Sequence, residues 1–275
     1  MTYELIAFDM DGTLLDSSKR VLPSSERAIA EAAAAGKTVA IASGRSPVMV
    51  ELDQASLGPV RYAICCNGTV LYDLEEHRVV SSASLPREAI VAALDALGDE
   101  DAMIDVFQGR GFFCQPSHVD RMPEFGLGIY QPMYRATAWL VDDVRATLLD
   151  PSESYQKFIF HLTSPEARER VVAAMAGVPV EMARSEVSSL EFSPQGVTKA
   201  IGLLALADLL GIDRAATIAV GDADNDLDML RAAGLGVAMG NANERAREAA
   251  DVTVADNDHD GCAEAIRRFL LGDEA

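Results

Sequence analysis

Two aspartates that are two residues apart, Asp9 and Asp11, directly follow the short apolar run 5–8. A run of this length that ends at Asp and Gly is typical of a buried parallel strand, so both carboxylates are expected at its carboxyl end. Ligands of open α/β sheets bind at that end. Two close carboxylates repel each other unless a cation neutralises them, and oxygen-only ligands favour a hard cation, chiefly Mg²⁺. The alternative is a strand followed by a plain Asp-Gly turn.

Other polar residues follow two further apolar runs, and one lysine lies on a helix predicted from Pro194 to Leu210. They are Ser43, Asp222, Asn225, Asp226 and Lys199. Because the carboxyl ends of parallel strands lie along one sheet edge, these residues are expected to converge with the two aspartates. Taken singly, each also suits a turn, a helix cap or a solvated helix position. Together they supply two carboxylates, a hydroxyl, a cation and a metal pair, which favours a reaction centre.

Strands and helices alternate at the two ends of the chain, and this pattern predicts an α/β fold with a parallel sheet. A hairpin is expected at 71–80, a helix from Pro47 to about Leu57, and a flap over the site at 14–22. The middle of the chain instead mixes short strands with helices, which indicates an inserted α+β unit. We therefore predict a core of residues 1–83 and 189–275 and an insertion of residues 84–188.

Composition and charge narrow the classes of function. The chain of 275 residues is 49% hydrophobic and 24% charged, as expected of a globular protein. Its formal net charge of −20 argues against nucleic acid or anionic membrane as a partner, and any phosphate site needs its own cations or metal. Residues 1–13 lack a signal-peptide pattern, no run has the length of a membrane span, and the four cysteines lack metal-ligand spacing. A cytoplasmic protein with reduced cysteines is expected.

The ordered set of motifs resembles the haloacid dehalogenase (HAD) superfamily of phosphatases, and within it the Cof-type group with a large α+β cap of the C2B type. The resemblance covers nearly the whole chain. It is carried by the segments 9–13 (Asp-Met-Asp-Gly-Thr), 43–45 (Ser-Gly-Arg), 67–68 (Asn-Gly), 194–199 and 221–226. Position 43 has Ser where many relatives have Thr, and either residue supplies a hydroxyl. The resemblance implies a Rossmann-like parallel-sheet core with the cap inserted after the third strand.

The resemblance also implies roles for individual residues. Asp9 would be the nucleophile that forms an aspartyl-phosphate, and Asp11 would be the general acid and base. Mg²⁺ would be bound by Asp9, by Asp222 and by the backbone carbonyl of Asp11. Ser43 and Lys199 would hold the phosphoryl oxygens, and Lys199 would also pair with Asp9.

The remaining motif residues would position the metal or the phosphate. Asp226 would orient metal-bound water and Asn225 would position Lys199 or the phosphate, while the Gly12 amide would face the phosphoryl group. Arg45, Asn67 and Gly68 match positions near the site. Candidate cap contacts with the leaving group are Arg110, His118, Arg121, Tyr130, Trp139 and Lys157. His161, in an apolar strand, is expected to be a hydrogen-bonded core histidine.

The function implied is a Mg²⁺-dependent hydrolase of small phosphorylated metabolites, such as sugar phosphates or phosphorylated cofactors. Asp11 favours a phosphate ester over a halide, because a halide leaving group needs no proton. A phosphotransferase or phosphosugar mutase remains an alternative, and so does a non-catalytic sensor of phosphorylated ligands, which would be expected to lose Asp9 or Asp11. Neither a nucleic acid nor a membrane partner is expected, and the protein is expected to be a monomer or a homodimer.

Overall fold

A computed structural model of the chain describes residues 2–272, and the chain divides into two compact units, Met1–Ser81 with Thr198–Ala275 and Ser82–Val197. The first part of the chain contains β1 (Leu5–Phe8), α1 (Pro23–Ala34), β2 (Thr38–Ala42), α2 (Pro47–Glu51), α3 (Gln54–Leu57), β3 (Tyr62–Cys65), β4 (Val70–Asp73) and β5 (Arg78–Ser82). The middle part contains α4 (Arg87–Leu97), β6 (Ala102–Gln108), β7 (Gly111–Cys114), α5 (Pro116–Arg121), α6 (Gln131–Thr137), β8 (Trp139–Leu140), α7 (Val144–Leu148), β9 (Lys157–Leu162), α8 (Pro165–Ala174), β10 (Val180–Ser185) and β11 (Ser189–Pro194). The last part contains α9 (Lys199–Leu210), β12 (Thr217–Gly221), α10 (Leu227–Ala232), β13 (Leu235–Ala238), α11 (Glu244–Ala249), β14 (Val252–Thr253) and α12 (Gly261–Ala265), which continues as a π-helix over Ile266–Leu271.

The first unit is built on an eight-stranded sheet in the order β14-β13-β12-β1-β2-β3-β4-β5. The strands from β14 to β3 are parallel, and β4 runs antiparallel to β3. All residues of β1 and β12 are buried, as expected of central strands in a parallel sheet. β1 lies between β12 and β2, so three strand ends that carry predicted site residues are neighbours.

The second unit contains a six-stranded sheet in the order β10-β11-β9-β6-β7-β8, which is antiparallel except for the parallel pair β7–β8. One face of the sheet packs against α4, α7 and α8 through an apolar core that includes Phe158, Phe160 and Phe192. The residues that alternate with these on β9, β6 and β11 include four that are polar and buried: Lys157, His161, Asp105 and Ser189. The unit is therefore α+β, as the irregular pattern predicted.

The predicted boundary between residues 188 and 189 lies too early in the chain. Strand β11 was assigned to the core, but it pairs with β10 and β9 and lies in the sheet of the second unit. The second compact unit instead ends at Val197. The first boundary, between Ser81 and Ser82, lies close to the predicted one.

Two predicted helices also differ from those observed. The helix predicted from Pro194 begins at Lys199, because Pro194 is the last residue of β11 and pairs with Val180. The helix predicted from Pro47 is interrupted, so that α2 and α3 are two short helices. Among residues 2–272, the helices fall short of the combined length and apolar character that spanning a bilayer requires.

Candidate active site

Asp9 lies immediately after β1 and is almost completely buried, with an exposed fraction of 5%. Its backbone N–H donates to Val220 O on β12 at 3.0 Å, which extends the strand pairing to the residue itself. Burial raises the pKa of Asp9 to about 7; Lys199 acts in the opposite direction, and Asp226 adds to the rise. The sheet therefore holds a carboxylate at its centre in surroundings that penalise its charge.

Lys199 supplies the cation that this carboxylate requires. It is the first residue of α9, its exposed fraction is 1%, and its Nζ lies 2.5 Å from Asp9 Oδ1 and 2.8 Å from Asp226 Oδ1. Burial acts to lower the pKa of Lys199, but the two carboxylates more than offset burial and the pKa is raised. Lys199 therefore remains an ammonium that bridges two buried carboxylates at neutral pH.

Asp226 is a buried support for this arrangement. Its Oδ2 accepts hydrogen bonds from the backbone N–H groups of Asp222 and Ala223, at 2.9 and 3.0 Å, while Oδ1 accepts from Lys199. A Cβ built on Gly221 would lie 2.5 Å from Asp226 Cγ, so only glycine fits at that end of β12. Asp226 thus fixes both the ammonium and the loop that begins at Asp222.

Asp222 follows β12 and lies beside the Asp9 loop. Thr13 Oγ1 donates to Asp222 Oδ1 at 2.7 Å, and a Cβ on Gly12 would lie 2.5 Å from Asp222 Oδ2. Gly12 has φ +87°, a left-handed conformation that favours glycine, and its carbonyl accepts from Asn241 Nδ2 at 2.7 Å. Burial raises the pKa of Asp222, while the Thr13 hydrogen bond acts to lower it.

Asp11 is more exposed than Asp9, and cations surround its carboxylate. Arg45 donates to both oxygens, from Nε to Oδ2 and from Nη2 to Oδ1 at 3.0 Å each, and Lys19 Nζ donates to Oδ1 at 2.8 Å. Burial acts to raise the pKa of Asp11, but Arg45 and Lys19 more than offset it and the pKa is lowered. The two aspartates of the motif therefore have opposite electrostatic surroundings.

Ser43 follows β2, one strand from Asp9, with an exposed fraction of 2%. Its Oγ accepts from Arg45 N at 3.2 Å, and its carbonyl accepts from Asn67 N at 3.0 Å, so the loops after β2 and β3 are joined. Asn67 has a left-handed φ of 57°. Gly68, with φ +102°, packs so closely on the start of α9 that a Cβ would lie 2.0 Å from Thr198 O. Asn67 and Gly68 therefore support the segment that presents Lys199.

Asn225 lies in the short 3₁₀ helix Asp224–Asp226 and is exposed. The ammonium of Lys199 contacts Asp9 and Asp226. That Asn225 positions Lys199 or the phosphate remains a prediction.

The cap candidates have partners inside the second unit. Lys157 is buried and paired with Glu191 at 2.6 Å, and Tyr130 OH donates to Glu186 at 3.0 Å. Arg121 forms salt bridges with Asp101 and Glu124. The ring of Trp139 packs edge-on against Phe113, and His118 Nδ1 accepts a hydrogen bond from Ile104 N. Arg110 lies at the surface. His161 is a hydrogen-bonded core histidine, as expected, with partners Asp105 at 2.9 Å and Ser189 at 2.6 Å.

The acidic residues fit a hard metal ion. One carboxylate oxygen from each of Asp9, Asp222 and Asp226 lies within 4.8 Å of the others, and the donor set is oxygen alone. Burial and neighbouring carboxylates raise the pKa values of Asp9 and Asp222. A divalent cation bound between them would stabilise their ionised forms. Asp226, whose two oxygens accept hydrogen bonds, suits a supporting position better than a direct one.

Sequence reasoning gave no role to four residues that the structure places around this centre: Thr13, Lys19, Asp53 and Asn241. Thr13 lies inside the first motif, so its hydroxyl was a signal that could have been used. Lys19 lies in the predicted flap and was also available. Asp53 and Asn241 reach the site only through the fold, and local pattern does not reveal such contacts.

Comparisons with known proteins identify the family and the fold. The family model for haloacid dehalogenase-like hydrolases matches residues 6–266. The pyridoxal phosphate phosphatase YbhA of Escherichia coli (strain K12) is 29% identical over 98% of this chain and all of that protein. The HMP-PP phosphatase of Serratia proteamaculans (strain 568) is 31% identical over 87% of this chain and 85% of that protein. A solved haloacid dehalogenase-like hydrolase from B. subtilis superposes with a TM-score of 0.83, at 26% identity over 97% of this chain and all of that one.

The chain belongs to the haloacid dehalogenase-like hydrolase family. Its fold is that of these hydrolases, with a parallel-rich α/β core and an inserted α+β unit, and the protein is a phosphatase of the Cof type.

Proposed function

We propose that this phosphatase hydrolyses small phosphomonoesters through an aspartyl-phosphate on Asp9, with Mg²⁺ as its cofactor. The observation that carries the proposal is the buried carboxylate of Asp9, 2.5 Å from the Lys199 ammonium at the central strand end of the sheet. A buried, oriented carboxylate next to a fixed cation is suited to attack a phosphoryl group, because catalysis of phosphoryl transfer depends on positioning and charge neutralisation.

Asp9 and Asp222 would hold the metal ion, together with the backbone carbonyl of Asp11, and Asp226 would orient the metal's water ligands. When bound, Mg²⁺ supplies positive charge against the phosphoryl oxygens and against the carboxylates of Asp9 and Asp222. The oxygen donors clustered within 4.8 Å support this assignment.

Other residues would hold the phosphoryl oxygens. Lys199 donates charge from one side, and the Ser43 hydroxyl donates a hydrogen bond from the next strand. The Gly12 amide and Asn225 would complete the set, while the Asn67-Gly68 loop supports Lys199 from behind. These groups would place positive charge and hydrogen-bond donors around the negatively charged phosphoryl oxygens. This part of an otherwise acidic protein could therefore accept an anion.

The reaction then has two halves. In the first, an Asp9 oxygen forms a bond to phosphorus as the bond to the leaving oxygen breaks, and Asp11 gives a proton to that oxygen. Because Arg45 and Lys19 lower the pKa of Asp11 in the free protein, Asp11 must take up this proton when the ester binds. In the second, the Asp11 carboxylate takes a proton from water as the water oxygen attacks the phosphorus, and the bond to Asp9 breaks. Phosphate leaves and both aspartates return to their starting state.

The substrates would be small phosphorylated metabolites, with the second unit, whose predicted extent was residues 84–188, acting as the cap that selects the leaving group. Relatives named for pyridoxal phosphate and HMP-PP support phosphorylated cofactors as a class. We place the reaction in the cytoplasm, where the four free, buried cysteines of the described chain would stay reduced.

The test is phosphate release from a panel of phosphorylated metabolites, with Mg²⁺ and with EDTA, for the wild type and for Asp9→Asn. We expect release that needs the metal and disappears in the variant. If a folded wild-type protein releases no phosphate from any ester but transfers it to an added sugar or alcohol, the protein is a phosphotransferase. If it does neither, both catalytic proposals are wrong and a binding role replaces them.

A further inference from the structure

Two segments that are distant in sequence hold the carboxylate of Asp11. Arg45 contacts both oxygens, whereas Lys19 contacts Oδ1 only, at 2.8 Å. Oδ1 therefore accepts from two cationic donors and Oδ2 from one. Because each donor occupies part of an oxygen's accepting capacity, Oδ2 is the oxygen with more freedom to contact another group.

Arg45 is itself fixed. Its Nη1 donates to Asp53 at 2.9 Å, and its side chain is 17% exposed. Lys19 has a different support, since its side chain is 44% exposed and a long flexible lysine loses side-chain entropy when it is held in one place. The position of its ammonium therefore depends on how rigidly the backbone at residue 19 is held.

That backbone is held by a turn over residues 16–20, which we name the flap turn. Asp16 N donates to Arg20 O at 2.8 Å, and Lys19 N donates to Asp16 O at 2.9 Å. Asp16 Oδ1 accepts from Ser18 N at 2.8 Å and from Arg20 N at 2.9 Å. Lys19 has φ 60°, a left-handed conformation that is strained for a non-glycine residue, and these hydrogen bonds offset the strain.

The flap turn is also tied to the rest of its unit. Ser17 donates to Asp258 twice, from its amide at 2.8 Å and from its hydroxyl at 2.6 Å. Asn257 Nδ2 donates to Leu15 O at 2.9 Å. These hydrogen bonds hold the flap turn in one position, from which the Lys19 ammonium reaches Asp11.

We propose that Lys19 is a positioning residue for proton transfer, which holds Oδ1 of Asp11 so that Oδ2 is presented to the leaving oxygen. The inference rests on the proposed function and deepens it. As the bond between phosphorus and the leaving oxygen breaks and the bond to Asp9 forms, the proton moves from Asp11 Oδ2 to the leaving oxygen. Without Lys19 only Arg45 holds the carboxyl group, with one donor to each oxygen, so the two oxygens become equivalent acceptors and fewer encounters present Oδ2 to the leaving oxygen.

The effect of Lys19 should depend on the leaving group. A poor leaving group such as an alkoxide needs the proton, whereas p-nitrophenolate departs with little help. The value of kcat/KM reports the steps up to departure of the leaving group, so it isolates the first half of the reaction. A series of aryl and alkyl phosphates therefore measures the role of Lys19 as the slope of log kcat/KM against leaving-group pKa.

For Lys19→Met we expect a steeper slope, with a loss of about 10-fold or more for alkyl phosphates and less than about 3-fold for p-nitrophenyl phosphate. Lys19→Arg should recover part of the slope. Asp16→Ala, which removes two hydrogen bonds from the flap turn, should steepen the slope in the same direction. Lys37→Met is the matched control, because this lysine of the same unit donates to Tyr3 O and should leave the slope unchanged.

Three outcomes would overturn the inference while the wild type remains active. They are an unchanged slope in Lys19→Met, an equal loss for every ester, and a loss confined to esters that carry a second anionic group. The last two would assign Lys19 to phosphoryl binding or to leaving-group binding. A wild type that hydrolyses none of the esters contradicts the proposed function, and the inference with it.

Discussion

The two aspartates of the first motif are chemically different although they are only two residues apart. Asp9 is buried against Lys199, and burial raises its pKa to about 7. Asp11 is more exposed to solvent, and Arg45 and Lys19 lower its pKa. The difference arises because Asp9 is still paired to β12 through its backbone, whereas the Asp11 side chain lies beside Arg45 and Lys19.

Lys199→Met should remove most of the activity and much of the stability. It leaves Asp9 and Asp226 as two buried carboxylates without a cation, which typically costs about 3–5 kcal/mol. Loss of a fixed charge at the phosphoryl group should lower kcat by at least about 10²–10³-fold. Urea unfolding and steady-state kinetics measure the two effects.

Arg61→Met is the control, because it also leaves a buried carboxylate without its cation, Asp73, which pairs with Arg61 at 2.9 Å. It should cost similar stability with a far smaller loss of kcat. Equal losses of kcat in the two variants would contradict the catalytic role of Lys199.

The pH dependence of stability should reveal the raised pKa of Asp9. The folded protein keeps the Asp9 proton up to about pH 7, whereas the unfolded chain releases it near its ordinary pKa of 3.8. Stability from this group is thus full below pH 3.8 and is lost as pH rises through 7. Between pH 4 and pH 8 in EDTA, Asp9→Asn should gain roughly 3–4 kcal/mol relative to the wild type, measured by urea unfolding. A constant difference between the two proteins would show that Asp9 is ionised throughout.

At the scale of elements, glycines permit the close approaches that assemble the site. Gly68 lies against the start of α9, Gly221 against Asp226 and Gly12 against Asp222. The sequence showed Asp, Ser, Lys and Gly after apolar runs, and this was sufficient to predict β1, β2 and β12 and the convergence of their ends. It was insufficient to place the start of α9 at Lys199, because Pro194 also suits the first turn of a helix and only pairing with Val180 assigns it to β11.

Gly68→Ala should damage catalysis more than a strained glycine elsewhere. The new Cβ would lie 2.0 Å from Thr198 O, so the start of α9 and the Lys199 ammonium must move. Gly211→Ala is the control, since Gly211 ends the same helix with φ +68° and nothing lies within 4 Å of its Cβ position. Both variants should lose about 1–2 kcal/mol through backbone strain, but only Gly68→Ala should lose kcat by about 10-fold or more. Similar kcat values for the two variants would show that the position of the start of α9 does not affect catalysis.

At the scale of the whole molecule, the negative net charge of the protein repels its proposed substrates. The chain has a net charge of −20, yet its proposed substrates are anions. Three cations around the motif, Lys199, Arg45 and Lys19, act at short range, while the surrounding field acts over about a Debye length.

The insertion was predictable as a unit from its mixed pattern, but its second boundary was not, because β11 joins its sheet through long-range pairing.

Added salt should therefore help the enzyme capture its substrate. With Mg²⁺ kept saturating, raising the ionic strength from about 0.01 M to 0.15 M shortens the Debye length from about 30 Å to 8 Å and screens the repulsion. We expect kcat/KM for a dianionic ester to rise a few-fold, roughly 2- to 5-fold, in initial-rate measurements. A fall in kcat/KM would mean that local cations dominate the encounter.

The central claim is that Asp9 carries the phosphoryl group, and trapping that intermediate tests it most directly. Wild-type protein is mixed with Mg²⁺ and a rapidly cleaved ester, quenched in acid and reduced with borohydride, which converts an acyl phosphate of aspartate to homoserine. Peptide mass spectrometry should find homoserine at position 9, only when the ester is present, and Asp11→Asn should increase the trapped fraction because the second half of the reaction slows. Sustained turnover with aspartate intact at position 9, or with homoserine at another position, would contradict the account.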